Sequence, residues 1–229
     1  MPLIIKKLSL RRGSRLLIKD LSISLDKGQS LLLTGPNGVG KTTLIRAIAG
    51  FIPPHSGHIT YLSTPQPEPD FENHNGAPPP EPELIHYIGH KNGLRTSLTV
   101  LENLEFWQGF YGTASSNTET NTAETALKVV MKTFSLTTLM DIPAGYLSAG
   151  QKRRLGLARL LLSKRPLWLL DEPTVSLDRL SAELLAKTAE EHLKQGGILI
   201  AATHIPLGIP FTKEIELSPN YEPAYADQI

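Results

Sequence analysis

The chain has no cysteine, which excludes disulfides, thiolate metal sites and cysteine nucleophiles and fits a reducing compartment. It also has almost no net charge, with 23 Lys and Arg against 22 Asp and Glu, a formal +1. A balance of that kind gives no general affinity for nucleic acid. No stretch approaches the ~20 consecutive apolar residues that would cross a bilayer. Met1-Pro2-Leu3-Ile4-Ile5-Lys6-Lys7 lacks the long apolar run of a secretory signal. The expected place is therefore the cytosol, or a membrane surface reached by holding a partner. The remaining bulk is ordinary: 229 residues fit one α/β domain with a substantial core.

Against these absences stands one dense stretch, Gly35-Pro36-Asn37-Gly38-Val39-Gly40-Lys41-Thr42-Thr43. It reads as G-x-x-x-x-G-K-[ST], the P-loop. An apolar run at 30–34 precedes it, suited to a buried strand. Leu44, Ile45 and Ile48 follow on one helical face, with Gly50 as a stop. Loop amides and the positive helix end converge on one anion site. Lys41 would reach β- and γ-phosphates, and Thr42 would hold Mg²⁺. The reading is a nucleoside triphosphate site.

Taken in order, residues 4–10 and 16–25 predict two strands, the second alternating at Leu21, Ile23 and Leu25 as an antiparallel strand would. A basic turn, Arg11-Arg12-Gly13-Ser14-Arg15, joins them. A strand is expected at 58–62. Residues 65–83 carry seven of the 18 prolines and five acids with no Lys or Arg, the composition of a solvated insertion. A strand resumes at 84–89. Helices are expected at 99–107 and 124–134, with a polar loop at 109–123, so that about 95–145 forms a helical insertion. A basic helix at 152–163, a buried strand at 167–171, an amphipathic helix at 180–194 and a buried strand at 198–202 complete the pattern. Alternating buried strands and helices imply a mostly parallel sheet covered on both faces. The basic run Lys152, Arg153, Arg154, Arg159, Lys164, Arg165 is expected to be a solvated or nucleotide-proximal face, not a nucleic-acid patch.

Leu167-Trp168-Leu169-Leu170 runs into Asp171-Glu172-Pro173, which places two acids at the carboxyl end of a buried strand, where α/β sheets bind ligands. Asp171 is suited to Mg²⁺, and Glu172 to polarising or deprotonating an attacking water. Ser148-Ala149-Gly150-Gln151 opens a helix and makes a second phosphate cradle. One nucleotide does not need two cradles, but two chains arranged head to tail would use both.

At this point the chain resembles the ATP-binding cassette (ABC) ATPases. The P-loop, Leu147-Ser148-Ala149-Gly150-Gln151 as the signature, Asp171-Glu172, Ser176-Leu177-Asp178 as the D-loop and His204 as the switch histidine occur in that family's order. The resemblance implies a single P-loop NTPase cassette over 1–229. Its parts would be a mostly parallel core sheet, an N-terminal antiparallel β subdomain and a helical subdomain. It also implies a homodimer that sandwiches two ATP molecules with Mg²⁺ and drives integral-membrane subunits. Taken alone, His204 reads as a core or surface histidine. Following a buried strand, it reaches the same sheet edge as Glu172.

Two departures from the family pattern stand out. Gly89-His90 occupies the place of the usual Gly-Gln, so His90 is expected to contact metal and water. The first turn has no adenine-stacking aromatic, leaving Arg11 or Arg12 for that role. Together with Lys152-Arg153-Arg154-Leu155-Gly156-Leu157-Ala158-Arg159 after the signature, this is similar to the ATP-binding subunit of bacterial haem exporters in cytochrome c biogenesis. That subunit works on the cytoplasmic face of the inner membrane. A lipid or peptide exporter, or a soluble non-transport cassette, remains as an alternative.

Overall fold

The computed structural model describes residues 2–61, 84–111 and 120–219, with the backbone only at 120–123. Its centre is a parallel five-stranded sheet. The strands are β3 (Ser30–Thr34), β5 (Ile85–Ile88), β6 (Leu167–Asp171), β7 (Ile198–Ala202) and β8 (Lys213–Glu216), in the order β5-β6-β7-β3-β8. Every residue of β6 and β7 is buried. Alternation along them feeds two separate cores, as a sheet covered on both faces requires. Leu167, Leu169, Ile198 and Ile200 join one apolar cluster, whereas Trp168, Leu170, Leu199 and Ala201 join the other.

The first core lies beneath an antiparallel sheet of β1 (Leu3–Arg12), β2 (Arg15–Leu25) and β4 (Ser56–Thr60), ordered β2-β1-β4. It also takes in Leu44, Ile45 and Ile48 of α1 (Lys41–Ile48). The second core is covered by α2 (Val100–Phe110), α3 (Thr120–Thr133), α4 (Ala149–Ala158) and α5 (Arg179–Lys194). No described helix is long and apolar enough to cross a membrane.

The sequence expectations need four corrections. Helix α2 runs on to Phe110 and α3 already begins at Thr120, so both helices take residues from the polar loop expected at 109–123. Positions 112–119 of that loop, and the proline-rich segment 65–83, lie outside the described residues. The basic helix is shorter and starts earlier, at Ala149, because Ser148 caps it. Strand β8 was not anticipated.

The fourth correction concerns charge. Arg153, Arg159 and Arg165 are buried, not a solvated face. The reason is the free side of β5, the terminal strand of its sheet. Carbonyls of alternate residues there need donors. Arg165 Nη1 donates to Ile85 O at 2.9 Å, Arg159 Nη2 to Tyr87 O at 2.8 Å and Arg153 Nη1 to Gly89 O at 2.9 Å. Three guanidinium groups thus stand where a further strand would. Aromatic rings of α2 and of its C-cap residue cover two of them, with Arg159 4.9 Å from the Trp107 ring centre and Arg165 4.4 Å from that of Tyr111.

Candidate functional site

Because the core strands are parallel, their carboxyl ends share one edge, and the loops leaving β3, β5, β6 and β7 meet there. The loop after β3 turns through Gly35, Gly38 and Gly40 at φ +116°, +77° and +126°. At Gly35 the restriction is also steric, since a Cβ would fall 2.1 Å from Leu217 O. Pro36, Asn37 and Gly38 are exposed at the loop's crest, and Val39 anchors it in the core. The N-cap of helix α1 is Gly40, so no side chain caps its first amides. Those donors and the helix dipole remain directed at the loop's concavity, which suits an anion.

Lys41, the first residue of α1, is buried. Its ammonium donates to Gly35 O at 2.6 Å and Pro36 O at 3.2 Å, and lies 2.9 Å from His204 Nε2. Burial draws its pKa below the usual lysine value, with Glu172 and Asp171 opposing. A cation held among carbonyls, with no carboxylate of the described residues bonded to it, is well placed for phosphate oxygens. The Thr42 hydroxyl, one residue on, donates to Asp171 Oδ1 at 3.1 Å. Burial raises the Asp171 pKa, which the Thr42 bond partly offsets. Among the described residues no cluster of three or more His, Asp or Glu could hold a metal by itself. One hydroxyl beside one carboxylate fits Mg²⁺, which keeps waters and shares substrate phosphates. Thr43 is half-buried in the first turn of α1.

Glu172 leaves β6 in a left-handed conformation, φ +49°. A non-glycine residue holds that shape only when its surroundings fix it. Here its N–H donates to Ala202 O at 2.7 Å and its carbonyl accepts from Arg153 Nη2 at 2.7 Å. The carboxylate then faces the loop after β7. Glu172 Oε2 accepts from the His204 N–H at 3.4 Å, and Oε1 lies 3.7 Å from His204 Nε2. The same ring nitrogen is 3.0 Å from Asn37 Oδ1. Lys41, Asn37, His204 and Glu172 therefore form one contact chain across three loops. Such a chain can bind phosphate, orient a water and accept its proton.

His90 follows β5 and is exposed. It lines a cavity of about 200 Å³ with Asn92, Arg153, Glu172 and Ser176, among others, so it shares the space on the far side of Glu172. Arg153 and Asn92 were not singled out in the sequence as site residues. Arg153 was hidden in a basic run, and Asn92 has no motif of its own. Arg11 and Arg12 are exposed at the β1–β2 turn. It is strand β2 beyond that turn which passes the start of α1, since a Cβ on Gly40 would meet Leu17 and Ile18 at 3.4 and 3.7 Å.

The signature segment stands apart. Ser148 Oγ accepts from the Gln151 N–H at 3.2 Å, and Gln151 Oε1 accepts from the Ser148 N–H at 2.8 Å, a complete capping box. Gly150 packs against the next loop, where a Cβ would lie 3.0 Å from Ser176 O. Ser176 is itself left-handed at φ +68°, and Asp178 caps α5 by accepting from the Ser181 N–H at 2.7 Å. The side-chain bonds of Ser148 and Gln151 are to each other, not to the loop after β3.

Comparison with known proteins agrees with this arrangement. The ABC transporter family model matches residues 18–175. The cytochrome c biogenesis ATP-binding export protein CcmA of Rhizobium meliloti is 42% identical over 95% of this chain and 98% of its own length. Its counterpart in Cereibacter sphaeroides is 42% identical over 96% and 90%. A solved structure of an ABC transporter's ATP-binding subunit superposes with a TM-score of 0.72, at 26% identity over 89% of this chain and 80% of that one. The chain belongs to the ABC transporter family as an ATP-binding subunit, with the cytochrome c biogenesis export proteins among its relatives.

Proposed function

We propose that the chain hydrolyses ATP between two of its own copies, and that this drives membrane subunits exporting haem for c-type cytochrome assembly. The observation that carries the reading is the meeting of Lys41, Thr42–Asp171, Glu172 and His204 at one sheet edge. The relatives' name supports the pathway. The role as ATP-binding subunit of such an exporter puts the chain against its membrane subunits on the cytoplasmic face of the inner membrane, and no described helix is long and apolar enough to cross a membrane.

In this mechanism Gly35 to Thr43 wraps the triphosphate with backbone amides, and Lys41 neutralises the β- and γ-oxygens. Thr42 and Asp171 would hold Mg²⁺, which when bound supplies positive charge to the phosphate oxygens. Glu172 takes the proton of a water as its oxygen bonds to the γ-phosphorus and the bond to the β–γ bridging oxygen breaks. His204 keeps Glu172 and the γ-phosphate in register through its ring and its amide. His90, across the Glu172 turn, orients the attacking water. Ser148, Gly150 and Gln151 of the second copy close on the γ-phosphate. Arg11 or Arg12 covers the adenine.

Glu172→Gln should bind ATP with normal affinity and hydrolyse it ~10²–10⁴-fold more slowly, accumulating as ATP-bound dimers by size-exclusion chromatography. Near-normal turnover would remove Glu172 from the role. Membranes solubilised from cells carrying this variant should yield multi-span, haem-handling proteins with it. Other permeases would change the cargo, and ribosomal proteins would remove the exporter.

A further inference from the structure

We propose that Arg153 is the positioning residue for Glu172: its guanidinium holds the turn that aims this carboxylate and ties that turn to the segment bearing His90. The inference rests on the reading of Glu172 as the base for the attacking water.

Arg153 lies on α4, just past the signature, and is 4% exposed. Its fork reaches two separate segments. Toward the acid loop, Nη2 donates to Glu172 O at 2.7 Å and Asp171 O at 3.4 Å, and Nε donates to Pro173 O at 3.1 Å. Toward the loop after β5, Nη1 donates to Gly89 O at 2.9 Å and Asn92 Oδ1 at 3.0 Å. Gly89 and Asn92 bracket His90. The carbonyls of three consecutive residues, the middle one in a left-handed conformation, thus converge on one cation.

A buried cation is expensive unless its donors are used, and methionine would fill similar space without that penalty. What only the guanidinium provides is a planar set of donors that satisfies acceptors on two loops at once. A lysine presents its donors from a single point and cannot span both. The conformation at Glu172 sets where its Cβ points. A bond on its carbonyl therefore acts directly on the carboxylate's direction, and displacement of the His90 segment is felt at the same fork.

The test uses the full chain, assayed with the membrane proteins that copurify with it. ATP binding, KM and kcat are measured for Arg153→Met, Arg153→Lys, Glu172→Gln and the Arg153→Met/Glu172→Gln double variant. Arg153→Met should keep KM and ATP affinity within about twofold while kcat falls ~10²-fold, the cost of a misplaced group. Arg153→Lys, which keeps the charge and can hold one of the two loops, should recover roughly tenfold of that loss and covers the case in which the methionine variant folds poorly. In the Glu172→Gln background, Arg153→Met should slow single-turnover hydrolysis less than about twofold, since no base is left to misplace. A merely structural Arg153 would slow both backgrounds by the same factor, and that result overturns the proposal. Wild-type kcat in Arg153→Met, or a loss confined to ATP affinity, also overturns it. Normal turnover in Glu172→Gln alone marks the failure of the base assignment itself, and Arg153 falls with it.

Discussion

Helix α1 has Gly40 as its N-cap and no side chain over its first amides, whereas α4 has Ser148 as its N-cap inside a complete capping box. The two helices also rest on different cores. Under α1 the fully buried core is aliphatic and borders the antiparallel sheet, with Tyr61 and Tyr87 packed at its margin. The core under α4 holds Trp168, stacked on His192 at 4.0 Å, with His86 5.0 Å from Tyr111. The uncapped terminus is left as an anion site and needs a ligand to satisfy it. In the capped one the Ser148 and Gln151 amides are satisfied within the single chain, which leaves the amides of Ala149 and Gly150, the Gln151 side-chain NH2 and the proton of the Ser148 hydroxyl to be offered outward, because a hydroxyl can donate while it accepts. In the proposed dimer, α1 supplies affinity for the triphosphate and α4 supplies recognition of a neighbour's γ-phosphate.

The largest break in this comparison should come at α1. Lys41→Ala removes the buried ammonium aimed at the phosphates, and a lost charge-assisted contact of about 3 kcal/mol is ~100-fold in ATP affinity. Because that ammonium has no bonded carboxylate, the variant's thermal stability without ATP should be unchanged or higher. Equilibrium binding of a fluorescent ATP analogue and a thermal melt check both halves. Unchanged affinity would count against the P-loop assignment.

The α1 side was legible in the sequence and much of the α4 side was not. The spans 30–34, 167–171 and 198–202 read as buried strands and are β3, β6 and β7 to the residue, because a strand covered on both faces carries a continuous apolar run, here 31–33, 167–170 and 198–202. Strand β8, Lys-Glu-Ile-Glu, has three exposed residues and one half-buried, so no apolar pattern announces it. What holds it is backbone pairing to β3. Nothing in the sequence marks Arg153, Arg159 and Arg165 as buried, for a related reason. Their partners are main-chain carbonyls of β5, and carbonyls leave no mark in a sequence. Motifs reveal residues that meet a ligand. They do not reveal residues that meet the backbone.

The α4-side core should show itself in acid. Burial, the largest cause, pulls the His86 pKa down to about 3 and that of His192 to about 4. Both folded values lie below the ordinary 6.5, so the unfolded chain takes up these protons first. The stability is therefore fully present above about pH 6.5 and is lost as pH falls toward 4. Each histidine contributes a slope of about 1.4 kcal/mol per pH unit in that window, so urea unfolding at pH 5 should give a stability about 3–4 kcal/mol lower than at pH 8. His86→Gln can still donate to Ser163 O, which His86 Nε2 now meets at 2.8 Å, but it cannot titrate. It should remove about half of that slope. An unchanged slope would place the acid sensitivity elsewhere.

The smallest effect separates the two uses of Ser148. As a cap, its oxygen accepts the Gln151 N–H, and Ser148→Ala should cost about 1 kcal/mol in urea unfolding of the single chain. Ser148→Asp is different, because aspartate is a good N-cap and its charge suits a helix start. That variant should match the wild type in stability, yet it has no proton to donate and its charge would repel the partner's γ-phosphate. In the Glu172→Gln background, ATP-driven dimers should therefore weaken with Ser148→Ala and disappear with Ser148→Asp. Were the aspartate variant to dimerise normally, the capping box would be the whole of Ser148's role, and the asymmetry between α1 and α4 would concern folding, not the reading of phosphate.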